Sequence, residues 1–324
     1  MKSYVIDNLH EGREDFFKEF RGNFSGVIFN KHTKTCIAFT DHFGTHTMFY
    51  GLGGHKVIIS SSLLELVRYL KKHGCTPLLS MAGAYMMLTY SFMLEDNTLY
   101  EGIKRILPGQ YIVSDASSIK IKKYYEIRND EIKISHEEAI EEVDRLFVKA
   151  VQLQAAKNDE YGFNHYSALS AGLDSRMTCW TLRRLGYDNV TAFTYSQTGE
   201  FDHIYPGKMA AAMKYEWLFK SLDNGLYVKS IKEGVETADG IVQYEWESQL
   251  MSLLDIVDRG KLGVVHTGVI GDVVPGTFYH DFSAKKKYRY GDGARSVTLI
   301  DKLRKYYELP DYEYETGMMY KTVL

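Results

Sequence analysis

The chain has 324 residues, 45% of them hydrophobic and 25% charged, with a net charge of −3. That length suggests two domains, each able to bury its own core, and the charge balance excludes the strongly basic domain that marks a nucleic-acid binder. No apolar run reaches the roughly 18 residues of a membrane span, Met1–Tyr4 has no signal-peptide apolar core, and the three cysteines at 36, 75 and 179 lack metal-like spacing. The expectation is a cytoplasmic protein with neither a nucleic-acid nor a membrane partner. Its 25 tyrosines are spread without a repeat and are read as compositional bias.

Short β-rich runs come first: Phe24–Phe29, Thr35–Thr40, Thr47–Tyr50 and Val57–Ser60, with turn residues at Asn30–Lys34 and Gly51–Gly54. This spacing predicts an antiparallel meander. Ser62–Lys72 reads as a helix, and Thr76–Tyr100 reads as largely helical. Leu107–Gln110 is a turn, after which Tyr111–Val113 and Ile119–Tyr125 form a hairpin. The polar stretch Arg128–Ile134 is taken as a linker dividing 1–127 from 135–324. Past it, Ser135 and Glu138 make a capping box, and Ile140, Val143, Phe147, Ala150 and Val151 recur at helical spacing. Strands and helices then alternate over 164–169, 176–185, 190–195, 203–215, 217–219, 244–259 and 262–266. Such alternation implies βα units on a parallel sheet, hence an α/β fold class.

Ligands of parallel sheets lie beyond the carboxyl ends of the strands, where three segments converge: Ser170–Ser175, Thr194–Ser196 and Thr267–Asp272. In Ser170-Ala171-Gly172-Leu173-Asp174-Ser175 the small residues let an anion approach the backbone. The following helix aims N–H groups and its positive dipole end at that point. Ser170 and Ser175 add hydroxyls, and Asp174 could hold a divalent cation on the phosphates. Chemically this is a seat for pyrophosphate, although a ligand-free strand-to-helix turn fits the same six residues. It is not a Walker A loop, because no Lys follows the glycine, nor a G-x-G-x-x-G loop. Thr267-Gly268-Val269-Ile270-Gly271-Asp272 again puts a hydroxyl, glycines and a carboxylate past a buried strand. Two such loops suit a magnesium-bridged triphosphate; two unrelated turns are the alternative.

Other polar residues have two readings each. Glu200, Asp202 and His203 could bind a metal or cap the next helix. Arg176 could meet a phosphate or substrate carboxylate, or be a solvated side chain at a helix start. Glu245 and Glu247 could face an amine substrate or complement a helix dipole. Lys285–Arg289 reads as a solvated basic loop.

The loop resembles the S-G-G-x-D-S loop of the ATP-pyrophosphatase superfamily, with Ala171 at the first glycine, and nearly the whole chain resembles the asparagine synthetase family. Arg21-Gly22-Asn23-Phe24, Asp41-His42-Phe43-Gly44-Thr45, Phe49-Tyr50 and Ser60-Ser61-Ser62 are similar to the second half of that family's amidotransferase domain, with His42 where D-R-x-G is usual. Leu107-Pro108-Gly109 and Tyr124-Tyr125 match its closing hairpin and linker. Thr267-Gly268 and Asp272 match the S-G-x-G-x-D segment, with Ile270 at its second glycine.

The resemblance implies a partial Ntn-hydrolase-like α+β domain followed by a parallel-sheet, Rossmann-like ATP-pyrophosphatase domain that lacks the family's C-terminal helices. It implies ATP and Mg2+, with pyrophosphate on Ser170, Gly172, Asp174 and Ser175, and Ala171 and Leu173 also among the nucleotide-binding residues. Leu169 and Tyr195 would lie near adenosine, Thr267 and Gly268 against the nucleotide, and Asp174 and Asp272 on magnesium. Asp174 and Arg176 are the catalytic candidates. The implied reaction joins a small-molecule carboxylate to ammonia or an amine, as in asparagine biosynthesis, by way of an acyl-adenylate. A homodimer or a separate amidotransferase partner is compatible with it.

Departures from the pattern shape this expectation. Position 2 is not cysteine, the first part of the amidotransferase domain is not matched, and Cys36 reads as a buried hydrophobe, so glutamine hydrolysis by the chain is not expected. Val269 stands where the family has a glutamate, and Val273 replaces another acidic residue. Two further readings stay open: a relative amidating another substrate in glycan or peptide tailoring, and a non-catalytic nucleotide-binding or scaffold protein.

Overall fold

The computed structural model describes residues 4–269 except 6, 9–12, 14, 55, 116–117, 129, 131, 243–244 and 255. The chain divides into two compact units, Met1–Asp130 with Val235–Tyr244, and Glu131–Gly234 with Glu245–Leu324.

In the first unit, β1 (Ser25–Asn30), β2 (Thr35–Thr40), β6 (Gln110–Ser114) and β7 (Ile119–Lys123) form a four-stranded antiparallel sheet, while β3 (Phe49–Gly53), β4 (Lys56–Ser60) and β5 (Ile103–Arg105) form a three-stranded one. The expected single meander therefore breaks after β2, and β5 was not anticipated. A strand has only two hydrogen-bonding edges, and β1 and β6 occupy both of those of β2. Ile37 and Phe39 pack with Phe16, Phe17 and Tyr111, whereas Ala38 faces Met48, Tyr50, Ile106 and Ile112. Its two faces are thus buried and its two edges filled, and β3 pairs with β4 and β5 instead.

The turn after β2 is built on one carboxylate. Asp41 is buried and accepts from the N–H groups of Phe43 (2.9 Å) and Thr45 (3.2 Å) and from the Thr45 hydroxyl. Burial pushes its carboxyl upward, but the Thr45 hydroxyl and the N–H groups of Thr45, Phe43 and His46 outweigh that and hold it below the ordinary aspartate range. Gly109, at φ +67, donates to the Asp41 carbonyl, and a Cβ there would fall 2.3 Å from the Tyr125 carbonyl oxygen. The Asp41–Thr45 and Leu107–Gly109 motifs are thus two halves of one packed corner.

Helix α1 (Leu63–Lys72) matches its expected span, and α2 covers Met81–Tyr90 only. Thr76–Tyr100 is not continuously helical because its ends are extended and pair with each other. Ser80 N–H donates to Leu99 O at 2.8 Å, and Leu79 bridges Tyr100. Ser80 caps α2 at one end, and Ser91 ends it in the left-handed region at φ 66. Segment 235–244 counts with this unit, which a division at one linker does not anticipate. Asp239 Oδ1 accepts from the Ser62 hydroxyl and Leu63 N–H, each 2.9 Å, and so caps α1 from across the sequence.

The second unit begins with α3 (His136–Tyr161), where both capping-box bonds of Ser135 and Glu138 form. Four parallel strands follow, β8 (Asn164–Ala168), β9 (Val190–Ser196), β10 (Glu216–Ser221) and β11 (Leu262–His266), in the order β10-β9-β8-β11. On one face, Val151 and Ala155 of α3 meet Cys179 and Leu182 of α4 (Leu173–Arg184) and Ala210 and Met213 of α5 (Phe201–Met213). On the other, Leu253 of α7 (Glu245–Leu254) packs on Tyr166 and Phe193. A short helix, α6 (Ile231–Thr237), and the early end of α7 depart from the expected pattern. Asn158 of α3, fully buried, fastens β11: its amide donates to Val264 O at 2.8 Å and its oxygen accepts from Val264 N–H at 2.7 Å.

Beneath the same helices, His266 and His165 lie ring to ring at 5.9 Å. Burial, and then the neighbouring His165, pushes His266 down to about 4. A histidine kept neutral when folded but free to protonate when unfolded lowers stability as pH falls below its unfolded value near 6.5. Conversely, the unfolded chain binds the extra proton between about pH 6.5 and about 4, so stability rises with pH across that window. The gap corresponds to roughly 3 kcal/mol. Urea unfolding should lose about that much between pH 6.5 and pH 4, and His266→Gln should flatten this part of the profile.

Candidate functional site

Strand order reverses direction of growth between β8 and β11: the chain runs β8, β9, β10 outward on one side and returns to place β11 on the other. This is the switch point at which open α/β sheets form their crevice. The loop after β8 and the residues after β11 are therefore adjacent at its floor.

The loop after β8 is short and internally bonded. Ser170 N–H donates to Ser175 Oγ at 2.9 Å, the two serine hydroxyls are 2.8 Å apart, and Gly172 N–H donates to Ser170 Oγ at 3.1 Å. Helix α4 starts at Leu173, three residues earlier than expected, so Asp174 and Ser175 lie in its first turn. Its N-cap, Gly172, has no side chain to satisfy the first-turn donors. No side-chain cap occupies this end of α4, and the helix dipole there favours an anion.

The second strand end closes on the first. A Cβ on Gly268 would lie 2.3 Å from Ser175 N and 2.5 Å from Asp174 C, so only glycine fits against this turn. Thr178 Oγ1 donates between Asp174 O and Thr267 O, 3.2 Å from each. Thr267 is exposed, and so is Val269. Asp272 lies outside the described residues.

Not every candidate reaches the crevice. Leu169 is buried in the helix-side core, its N–H donating to Phe193 O and its carbonyl accepting from Thr194 Oγ1 at 2.6 Å. Its side chain offers no surface to adenosine and instead fixes the root of the loop. Tyr195 packs on the opposite face with Tyr166 and Phe193, so Leu169 and Tyr195 do not form one platform. Arg176 Nη2 donates to Ala171 O at 2.8 Å and thereby holds the loop as well as facing it.

Glu200, Asp202 and His203 do not converge. Glu200 occupies the N-cap position of α5 without a side-chain capping bond, and His203 Nδ1 accepts from Gly199 N–H. Among the described residues no group of three His, Cys, Asp or Glu side chains could hold a metal. Asp202 instead reaches back to accept from Ala171 N–H at 2.6 Å, a contact missed in the sequence because the two residues are 31 positions apart. Burial pushes the Cys36 thiol up and the Cys179 thiol to about 11, so neither is a ready nucleophile. Glu245 and Glu247 begin α7.

Residues 4–125 match the glutamine amidotransferase domain family. The amidase ChyE of Penicillium rubens is 24% identical over 166 residues, 49% of this chain and 23% of that protein. A putative glutamine-hydrolysing asparagine synthetase 2 of Methanocaldococcus jannaschii is 22% identical over 191 residues, 58% of this chain and 36% of that protein. The chain thus spans about a quarter to a third of the length of these two relatives. Among solved structures, the NH3-dependent NAD synthetase of Campylobacter jejuni overlaps 56% of this chain and 77% of its own, at 17% identity and TM-score 0.30. The glutamine-dependent NAD+ synthetase of Acinetobacter baumannii overlaps 93% and 70%, at 12% identity and TM-score 0.31.

Gly268→Ala should push β11 away from α4, since its Cβ meets backbone and not a flexible side chain. The expected cost is about 1–3 kcal/mol. Thermal unfolding of this variant beside the parent chain checks it. An amidotransferase-type segment followed by a parallel α/β unit, the order of domains in the asparagine synthetase family, is what this chain resembles.

Proposed function

We propose that this chain is an ATP-dependent, adenylate-forming amide ligase whose nucleotide sits in the β8–β11 crevice. The observation that carries the reading is the pairing of an uncapped helix N-terminus with two serine hydroxyls at the sheet's switch point. The site's chemistry fits a pyrophosphate: hydroxyls at 170 and 175, the positive end of the α4 dipole, and a side-chain-free wall at Gly268. Magnesium commonly takes one or two carboxylates and completes its shell with phosphate oxygens and water. Asp174 in the first turn suits that role, with Asp272 as the second candidate. A bound Mg2+ would supply charge neutralisation to the triphosphate.

In this reading the substrate carboxylate attacks the α-phosphorus of ATP, forming a carboxyl–phosphate bond as the α–β bridging bond breaks and pyrophosphate leaves. Ammonia or an amine then attacks the acyl carbon, AMP departs and an amide forms. The chain's share is positioning and electrostatics. Ser170, Ser175 and the α4 N-terminus hold the leaving pyrophosphate, while Thr267 and Gly268 border the nucleotide. Arg176, anchored on Ala171 O, stabilises the loop close to the anion.

Val269 supports an acceptor other than aspartate. It is 72% exposed at the end of the strand loop, where the resembled family has a glutamate. Titration calorimetry with Mg-ATP should detect binding that Asp174→Ala weakens at least about tenfold. Pyrophosphate release that requires an added carboxylate would then establish the ligase chemistry. No binding by the parent chain, or equal binding by the variant, would contradict the assignment.

A further inference from the structure

We propose that the outer edge of β4 binds an extended segment of a partner protein as an added antiparallel strand. The segment it takes carries an apolar residue followed two places later by an acidic one. The inference concerns the first unit and does not rest on the nucleotide reading. In the three-stranded sheet β3 is central, so β4 has one unpaired edge among the described residues. Met48 O accepts from Ile106 N–H on the β5 side, and residues of β3 alternate from there, so Phe49, Gly51 and Gly53 face β4. Their partners Ser60, Ile58 and Lys56 point inward, whereas Val57 and Ile59 turn both N–H and C=O outward. Such an edge is a template for strand addition.

A groove of about 470 Å3 runs along that edge. It touches Ile58, Ile59 and Ser60 in succession, and consecutive strand residues point to opposite faces, so it follows the edge and not one face of the sheet. Helix α1 forms the other wall through Glu65, Tyr69 and Lys72, which share one helix face. A strand bonded to Val57 and Ile59 directs its side chain opposite Ile58 into this groove, against Leu66 and Tyr69. Only Ser61 and Ser62 separate β4 from α1, and a Cβ on Gly53, the partner of Lys56, would lie 3.0 Å from Leu70. The helix therefore runs back along the strand, and Lys72 stands at the Lys56 end. Glu65 and Arg68 pair with each other at 2.6 Å, whereas Lys56 and Lys72 have no ion pair among the described residues. A lone edge lysine guards against aggregation; a second cation brought there by another element makes that end selective for an acid. Antiparallel addition matches the pairing of β3 with both its neighbours. It puts the residue opposite Lys56 two places after the one opposite Ile58, on the same face and roughly 7 Å further along.

Selection from a random heptapeptide library on the full chain should enrich segments with an apolar residue and, two places on, aspartate or glutamate. A synthetic, end-capped peptide of the enriched sequence is then the probe in fluorescence anisotropy. Methylating its backbone nitrogens that face β4 should weaken binding at least about tenfold. Val57→Pro should do the same, because it removes an outward N–H that the β3 ladder does not use. Lys72→Glu should weaken binding roughly fivefold, and exchanging the peptide's acidic residue for lysine should restore it on that variant. A melting curve accompanies Val57→Pro; if that variant does not fold, the methylated peptide and Lys72→Glu read the same edge with the sheet untouched. Enrichment of no peptide would overturn the inference, as would binding that survives backbone methylation or ignores Lys72→Glu. So would a second copy of the chain on this edge, seen in ultracentrifugation as a dimer that Val57→Pro dissociates.

Discussion

The crevice depends on one steric constraint, the approach of Gly268 to the backbone of Asp174 and Ser175 at a distance that admits no side chain. It follows from the parallel pairing of β11 with β8, which brings the chain after His266 directly over the first turn of α4. A larger residue would part the two strand ends and open the floor of the crevice to water. Asn158 supports the arrangement from below by bonding both the N–H and the carbonyl of Val264. The position of the strand end is therefore set twice, by shape above and by buried hydrogen bonds beneath.

The loop itself draws its order from polar contacts and not from packing. Its small side chains bury little apolar area, so the Ser170–Ser175 bonds and the clamps on Ala171 replace a hydrophobic core at that point. Leu169 marks where one regime passes into the other, with its side chain in the core and its carbonyl held by Thr194 Oγ1, which itself accepts from Trp217 Nε1. Such a loop is held in shape before any anion arrives, and pre-organisation of this kind is a requirement for electrostatic stabilisation of a leaving group.

Much of this was legible locally. Ser135 and Glu138 form the capping box that their spacing indicates, and strand–loop–helix order around Ser170 follows from apolar runs and small residues. Features that depend on distant pairing were not. Nothing near Thr47–Tyr50 says that β3 avoids β2, because the second edge of β2 is filled by β6, far along the sequence at Gln110–Ser114. Asp239 caps a helix from 176 positions away, and Asp202, which in sequence reads as a metal ligand or a helix cap, bonds Ala171 N–H instead. Asn158 reads as a polar position on an amphipathic helix, yet it is fully buried. A residue type gives its hydrogen-bonding capacity, but only the fold gives its partner.

Hydrogen–deuterium exchange on the whole chain, with and without Mg-ATP, tests the central claim most directly, because it reads both strand ends at once. One shared seat predicts that nucleotide slows exchange together in 169–176 and in 264–269. Protection of neither segment, or of one alone, would contradict a crevice built from both.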